Sequence, residues 1–266
     1  MLAYHGTPCG GKREEVARFL KGRHALIPWV RDEDIGTVAE VCQSFCLDNG
    51  AFTAWKSGEP ITDWSGYYDW VKLWYRHPGF DFAIIPDVID GTEVDNENLI
   101  AEWQKAAFRK GHPKLVAAGV PVWHLHESLE RLDRLVRLWP RVALGSSGQW
   151  ATPGTDGWWT RMAEAMSVAC NSDGQPRVKL HGLRMLDPAV FTRLPLASAD
   201  STNAVRNGNL VKRYGMYCPP SNGARQAIIA DRIESHQSAA IWVAREEQGV
   251  LVWSEACGRN KILGEE

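Results

Sequence analysis

The chain has 266 residues, 44% of them hydrophobic and 23% charged, with a formal net charge of −2 at pH 7. Its length suits one (β/α)8 barrel, which usually takes about 250 residues, and its near-neutral balance excludes a global pull toward a polyanion, leaving nucleic-acid contact to local basic patches. No stretch approaches the roughly 18 consecutive apolar residues of a membrane span.

The opening Met1-Leu2-Ala3-Tyr4-His5-Gly6 shows no basic segment ahead of an apolar core, which predicts a soluble, cytoplasmic protein without a secretory signal. Next, Gly6-Thr7-Pro8-Cys9-Gly10-Gly11-Lys12-Arg13 nearly spells a phosphate-binding loop. Arg13 stands where the magnesium-binding hydroxyl belongs, and no long buried strand is readable ahead of it, so a turn into a helix is expected instead. His5 and Thr7 are placed to reach a pocket mouth. Apolar runs then predict strands over residues 25–30, 44–47, 80–86, 120–125, 141–145, 179–183 and 196–199. Helical spacing of apolar residues fills the intervals over 63–75, 94–110, 128–138 and 158–169, with a final helix over 223–240. An eighth strand is left to either end of the chain, with 240–244 and 250–253 as C-terminal options. This alternation implies parallel strands with crossover helices, and no linker or repeat divides the chain. The expected architecture is α/β: a single TIM-type (β/α)8 barrel domain over residues 1–266.

Cys9, Cys42, Cys46, Cys170, Cys218 and Cys257 are scattered without a C-x-x-C pair, which predicts reduced, structural thiols. The 13 tryptophans are expected mainly in helix–strand packing, with a few available as stacking platforms for bases.

Several predicted strands end in polar residues or glycine: Asp48-Asn49-Gly50-Ala51-Phe52, Pro86-Asp87-Val88, His124-Leu125-His126-Glu127, Gly145-Ser146-Ser147-Gly148 and Ala199-Asp200-Ser201. In a barrel, these carboxyl ends converge on the face that carries chemistry. One aspartate closing a strand is commonplace, because aspartate caps helices and turns. Three on separate strands suggest a site. Two convergent carboxylates suit displacement at an anomeric carbon, one attacking and the other carrying the proton of the departing group. A third that only accepts hydrogen bonds suits a ligand edge rich in N–H groups.

The order Asp48-Asn49-Gly50-Ala51-Phe52, Asp87, Gly145-Ser146-Ser147-Gly148, then Asp200 with Asn203-Ala204-Val205-Arg206-Asn207-Gly208 resembles the tRNA-guanine transglycosylase superfamily. Within it, the chain is most similar to the compact DNA 7-deazaguanine transglycosylases of phages and genomic islands. The resemblance spans residues 25–215. It implies Asp200 as the nucleophile at C1′ and Asp48 as the carrier of the leaving base's proton. It places Asp87 on the guanine N1–H and amino edge, and Gly145 and Ser146 on the carbonyl edge. His126 falls where the family has a base-contacting glutamine, and Asn49 and Phe52 shape the wall. Arg206, Asn207, Lys212 and Arg213 are the expected nucleic-acid contacts, ahead of the basic stretch 109–114. The family's tRNA enzymes carry a zinc subdomain of three clustered cysteines and a histidine. Cys218 and Cys257, with His236 between them, do not supply that pattern. The resemblance therefore implies neither zinc nor another cofactor, DNA rather than tRNA as partner, and the cytoplasm of a bacterial or phage-infected cell.

Three alternatives stand beside this expectation: exchange on tRNA, a metal-dependent barrel hydrolase, and a barrel that binds nucleic acid without reacting. The hydrolase would use His124 and His126, two residues apart on one strand face. Arg131, Arg134, Arg137 and Arg141 are read as a solvated basic face.

Overall fold

The structure, a computed structural model, describes residues 1–108, 113–208, 215 and 217–244. Nine strand segments are present: β1 (Leu2–Gly6), β2 (His24–Pro28), β3 (Ser44–Asp48), β4 (Phe80–Ile84), β5 (Gly119–Val120), β6 (Val122–His124), β7 (Arg141–Gly145), β8 (Lys179–Gly182) and β9 (Ser198–Ser201). All neighbouring pairs are parallel, in the order β5-β4-β3-β2-β1-β9-β8-β7-β6.

The two ends of that order are halves of one chain segment, divided by Pro121. Proline lacks an N–H, so a continuous ladder cannot run through it. The first half pairs with β4, where Ile85 N donates to Val120 O at 2.9 Å. The second pairs with β7, where Ala143 N donates to Pro121 O at 2.9 Å. The ring therefore closes through Pro121 into eight staves, a TIM-type (β/α)8 barrel.

The strand missing from the sequence-based expectation lies at the beginning of the chain. Leu2–Gly6 sits between β2 and β9 and is buried from Ala3 onward. It precedes the glycine-rich segment, contrary to the expectation that no buried strand does. Among the C-terminal options, 240–244 forms no strand, and 250–253 lies outside the described residues. Helices at Ser65–Trp74, Glu93–Phe108, Leu129–Leu138, Asp156–Ala169 and Asn222–Glu234 occupy the predicted intervals. No described helix is long and apolar enough to cross a membrane.

Side chains alternate along each strand, so every second residue enters the barrel. Tyr4, Leu26, Cys46, Phe82, Ile84, Val120, Val122 and Ala143 form this inner cluster. Continuing the alternation toward the carboxyl ends turns Asp48, His124, Gly145 and Asp200 inward as the next layer. The outer faces join the helices in a second, larger core that takes up Trp64, Trp70, Trp103, Trp123, Trp139, Trp158 and Trp159. Five described cysteines are free thiols; Cys257 lies outside the described residues.

The expected basic face does not exist as a unit. Arg134 and Arg137 are exposed at 52% and 67%. Arg131 is fully buried and pairs with the equally buried Glu127 at 2.6 Å. Arg141 opens β7 at the opposite end of the barrel from the inward aspartates, bonded to Asp81 at 3.2 Å and stacked on Phe82. Helical spacing places Arg131 on the same stripe as Leu135, and a carboxylate waiting there makes its burial tolerable.

Candidate active site

A cavity of about 510 Å³ opens at the carboxyl ends of the strands. Asp48, Asn49, Phe52, Asp87, Gly145, Ser146, Asp200, Arg206 and Asn207 all line it. These are nine of the twelve expected site residues. Lys212 and Arg213 lie outside the described residues, as do 109–112.

Asp48 is the last residue of β3, and the turn after it explains its neighbours. Its Oδ2 accepts from Gly50 N at 3.1 Å, while Asn49 Oδ1 accepts from Ala51 N at 2.7 Å. Both bonds close the turn that leads into the helix Ala51–Ser57. Gly50 adopts φ +79°, and a Cβ there would lie 2.7 Å from Val30 Cγ2, so the turn requires glycine. Burial raises the Asp48 carboxyl from 3.8 to about 7, with the charges of Asp200 and Asp87 adding to the effect.

Asp200 lies within β9 rather than beyond its end, because the strand runs from Ser198 to Ser201 instead of stopping at residue 199. It is buried. Oδ1 accepts from the backbone N of Arg184 at 3.0 Å, and His181 Nε2 approaches the same oxygen at 3.4 Å. Among the described residues Oδ2 accepts no hydrogen bond, which leaves one oxygen unengaged. Arg184 was not anticipated from sequence. It holds the left-handed φ +58°, uncommon for a residue with a side chain. Its guanidinium lies 4.0 Å from the centre of the Phe52 ring, bridging the loops after β8 and β3. Thr7 lines the cavity, as its expected place at a pocket mouth has it, and Lys56 lines it without having been anticipated from sequence.

Asp87 follows β4 and is held on both oxygens. Asn49 Nδ2 donates to Oδ1 and His124 Nε2 donates to Oδ2, each at 2.8 Å. Asn49 therefore fixes a carboxylate, in addition to shaping the wall. Behind the strand ends, Asn96 accepts from Val88 N at 2.8 Å and donates to Glu127 at 2.8 Å. Glu127 also accepts from His124 N at 2.8 Å and from Arg131 at 2.6 Å. One buried polar network thus sets the loops that carry Asp87 and His124.

His126 is not in the cavity. β6 stops at His124, and a turn closed by Glu127 N on His124 O carries the next residues away. His126 is exposed; its Nδ1 meets Ser147 Oγ at 2.7 Å and its Nε2 meets Gly91 O at 3.1 Å. The pocket-lining histidine is His124, against which the His126 ring stacks with centroids 5.6 Å apart. His5 is likewise outside: it is buried and paired with Glu234 at 2.7 Å.

Ser146 Oγ accepts from Trp158 Nε1 at 2.9 Å, which frees its own proton for a carbonyl in the cavity. The site therefore offers acceptors at Asp87, a hydroxyl donor at Ser146, and two further carboxylates. Among the described residues, no group of three or more His, Cys, Asp or Glu side chains is arranged to hold a metal ion.

No protein-family model matches the chain, and no curated protein matches it in sequence. Solved structures with a similar fold include the tryptophan synthase complex of Pyrococcus furiosus, at 12% identity and a TM-score of 0.47, covering 88% of this chain and 96% of that one. A mutant tryptophan synthase alpha subunit from the same organism gives 11% identity and a TM-score of 0.47 over 88% and 96% of the two chains. Similarity at that level carries no functional inference.

Proposed function

We propose that the chain is a base-exchange transglycosylase that replaces guanine in DNA with a 7-deazaguanine. The observation that carries this reading is the pair Asp48 and Asp200 on one cavity, with the Asp48 carboxyl raised to about 7 and one Asp200 oxygen unengaged among the described residues.

The carboxylate of Asp200 attacks C1′ of the target nucleotide. The C1′–N9 bond breaks, its electron pair leaves with guanine, and Asp48 gives the departing base its proton. Asp48, now ionised, takes the N9 proton of the incoming base. That nitrogen attacks C1′ and releases the Asp200 oxygen, so two inversions preserve the anomer and no net proton is consumed. Asp87 receives the N–H edge of either base and Ser146 its carbonyl. The target nucleotide must leave the stack for both contacts to form. Arg206, on the short helix directly after Asp200, lines the cavity; in this reading it takes a backbone phosphate.

The absence of the zinc-subdomain cysteine pattern favours DNA over tRNA.

The test incubates the protein with guanine-containing DNA, and separately with tRNA, in the presence of radiolabelled guanine. Label entering DNA with the wild type and not with Asp200→Ala supports the proposal. Label entering only tRNA overturns the choice of polymer. With neither polymer labelled by guanine or by 7-deazaguanines, the exchange chemistry is wrong.

A further inference from the structure

Arg184 and Arg206 belong to neighbouring staves of the ring. With β5 and β6 counted as one stave, β8 and β9 are the last two, paired in parallel through Gly182 and Ala199. Arg184 lies in the loop after β8, and Arg206 in the short helix Asn203–Asn207 after β9. Both side chains line the cavity while remaining exposed. Barrels of this architecture often hold a phosphate at the loops after these two strands.

Neither guanidinium has a carboxylate partner among the described residues, whereas Arg23, Arg141 and Arg177 each hold one. Arg184 donates from its side chain to Ala151 O alone, at 3.3 Å, and lays its face on the Phe52 ring. It reaches Asp200 through its backbone N–H instead. Arg206 donates no side-chain hydrogen bond among the described residues. Burial lowers the Arg184 pKa, Asp200 opposes that, and the charge of Arg206 lowers it further, so the two cations sense each other. A guanidinium nevertheless keeps its charge in a protein. Two such forks without a counter-ion are relieved by an anion between them.

The rest of the cavity says why an anion needs them. Asp87, Asp187 and Asp200 line the same space. A nucleotide whose C1′ faces Asp200 brings a phosphate, only a few bonds from that carbon, into the field of these carboxylates. Cations beside Asp200 offset the repulsion.

We infer that Arg184 and Arg206 form a two-armed clamp for one phosphodiester of the target strand, the ester adjoining the nucleotide whose C1′ faces Asp200. The clamp rests on the base-exchange reading above for the identity of that ester. Arg184 thereby joins the substrate-binding residues, and Phe52 serves as the surface that orients its fork.

The experiment is fluorescence-anisotropy titration of single-stranded DNA carrying one guanine, with wild type, Arg184→Met and Arg206→Met. The strand is used either with every phosphodiester intact or with one neutral methylphosphonate, on the 5′ or the 3′ side of that guanosine. Methionine keeps an unbranched stem and removes the charge, and the two exposed positions are tested independently. For the wild type, one of the two methylphosphonates is expected to weaken binding about 10- to 100-fold, the loss of a charge-assisted contact. Each variant should bind the intact strand more weakly by a similar factor and lose most of the penalty at that same linkage. A penalty at neither linkage, or one undiminished in either variant, overturns the clamp and leaves the exchange reading standing. Guanosine 5′-monophosphate and guanosine, as competitors and as direct ligands, distinguish a strand from a free nucleotide. If the wild type binds no strand but prefers the monophosphate, and Arg184→Met loses that preference, the clamp is supported and the DNA reading falls. If the wild type binds neither strand nor nucleotide, both fall.

Discussion

Asp48 and Asp200 are coupled: the charge of Asp200 adds to burial in holding the Asp48 carboxyl at about 7. The two aspartates are inward residues on non-adjacent staves, separated in the ring by β2 and β1. Neither strand alone explains the shift. The barrel brings them to one cavity, where partial burial and like charge both disfavour ionisation of Asp48.

The shift has a stability consequence with a defined sign. Between pH 3.8 and about 7 the folded chain holds a proton on Asp48 that the unfolded chain has released. Stability is therefore expected to fall as pH rises through that window and to stay lowered above it. Asp48→Asn removes the cost, on the order of 1–4 kcal/mol. In paired thermal melts, the variant should melt above the wild type at pH 8, and the gap should close at pH 3.5. A gap independent of pH contradicts the assignment. The same substitution should slow base exchange by about 10²–10⁴-fold, the usual share of a proton carrier.

Arg131 predicts a large loss from a position that the sequence reads as surface. It donates to Glu127 and to the Val122 carbonyl while buried, and Glu127 in turn holds the His124 backbone. Arg131→Leu strands a buried carboxylate and should cost about 3–5 kcal/mol in denaturant unfolding. Arg137→Leu, one helical stripe away and exposed, should stay within about 0.5 kcal/mol. Equal effects at the two positions would mean that the buried network is not holding the loops.

Arg184 separates backbone from side chain. Its amide orients Asp200, and its guanidinium covers Phe52. Arg184→Gly preserves the amide and relieves the left-handed φ, which costs about 1–2 kcal/mol with a side chain present. The melting temperature should hold or rise, while exchange loses efficiency through KM as the wall opens. Arg184→Val keeps the side-chain penalty without the stack and should lower stability. A Gly variant less stable than the Val variant would refute this division.

The barrel was legible because most of the seven predicted strands centre on apolar stretches, such as Ala25–Ile27, Phe45–Leu47 and Val142–Leu144, and four of the helical intervals show clear spacing. The first strand escaped because Leu2-Ala3-Tyr4-His5-Gly6 mixes a polar ring and a glycine into five residues. Its apolar character shows only once Tyr4 is seen filling the barrel interior. Asp48, Asp87 and Asp200 stood out as strand-end carboxylates. The exchange of His126 for His124 has a local cause. Period-two reasoning puts both on one face, but the strand stops at His124, where Glu127 closes a turn through both its backbone N–H and its carboxylate. Arg184 had no signal at all, since neither its backbone conformation nor its stack on Phe52 is written in neighbouring residues.

The most direct test of the central claim is capture of the Asp200 glycosyl ester. Wild-type protein is mixed with a guanine-containing DNA oligonucleotide without any added base, denatured, and separated on a denaturing gel, with Asp200→Ala in parallel. The account predicts a band that survives denaturation, carries both protein and DNA, maps to Asp200, and is depleted when guanine is added before denaturation. A chain that exchanges base yet yields no such adduct, or yields it equally with Asp200→Ala, would contradict the assignment of Asp200 as nucleophile.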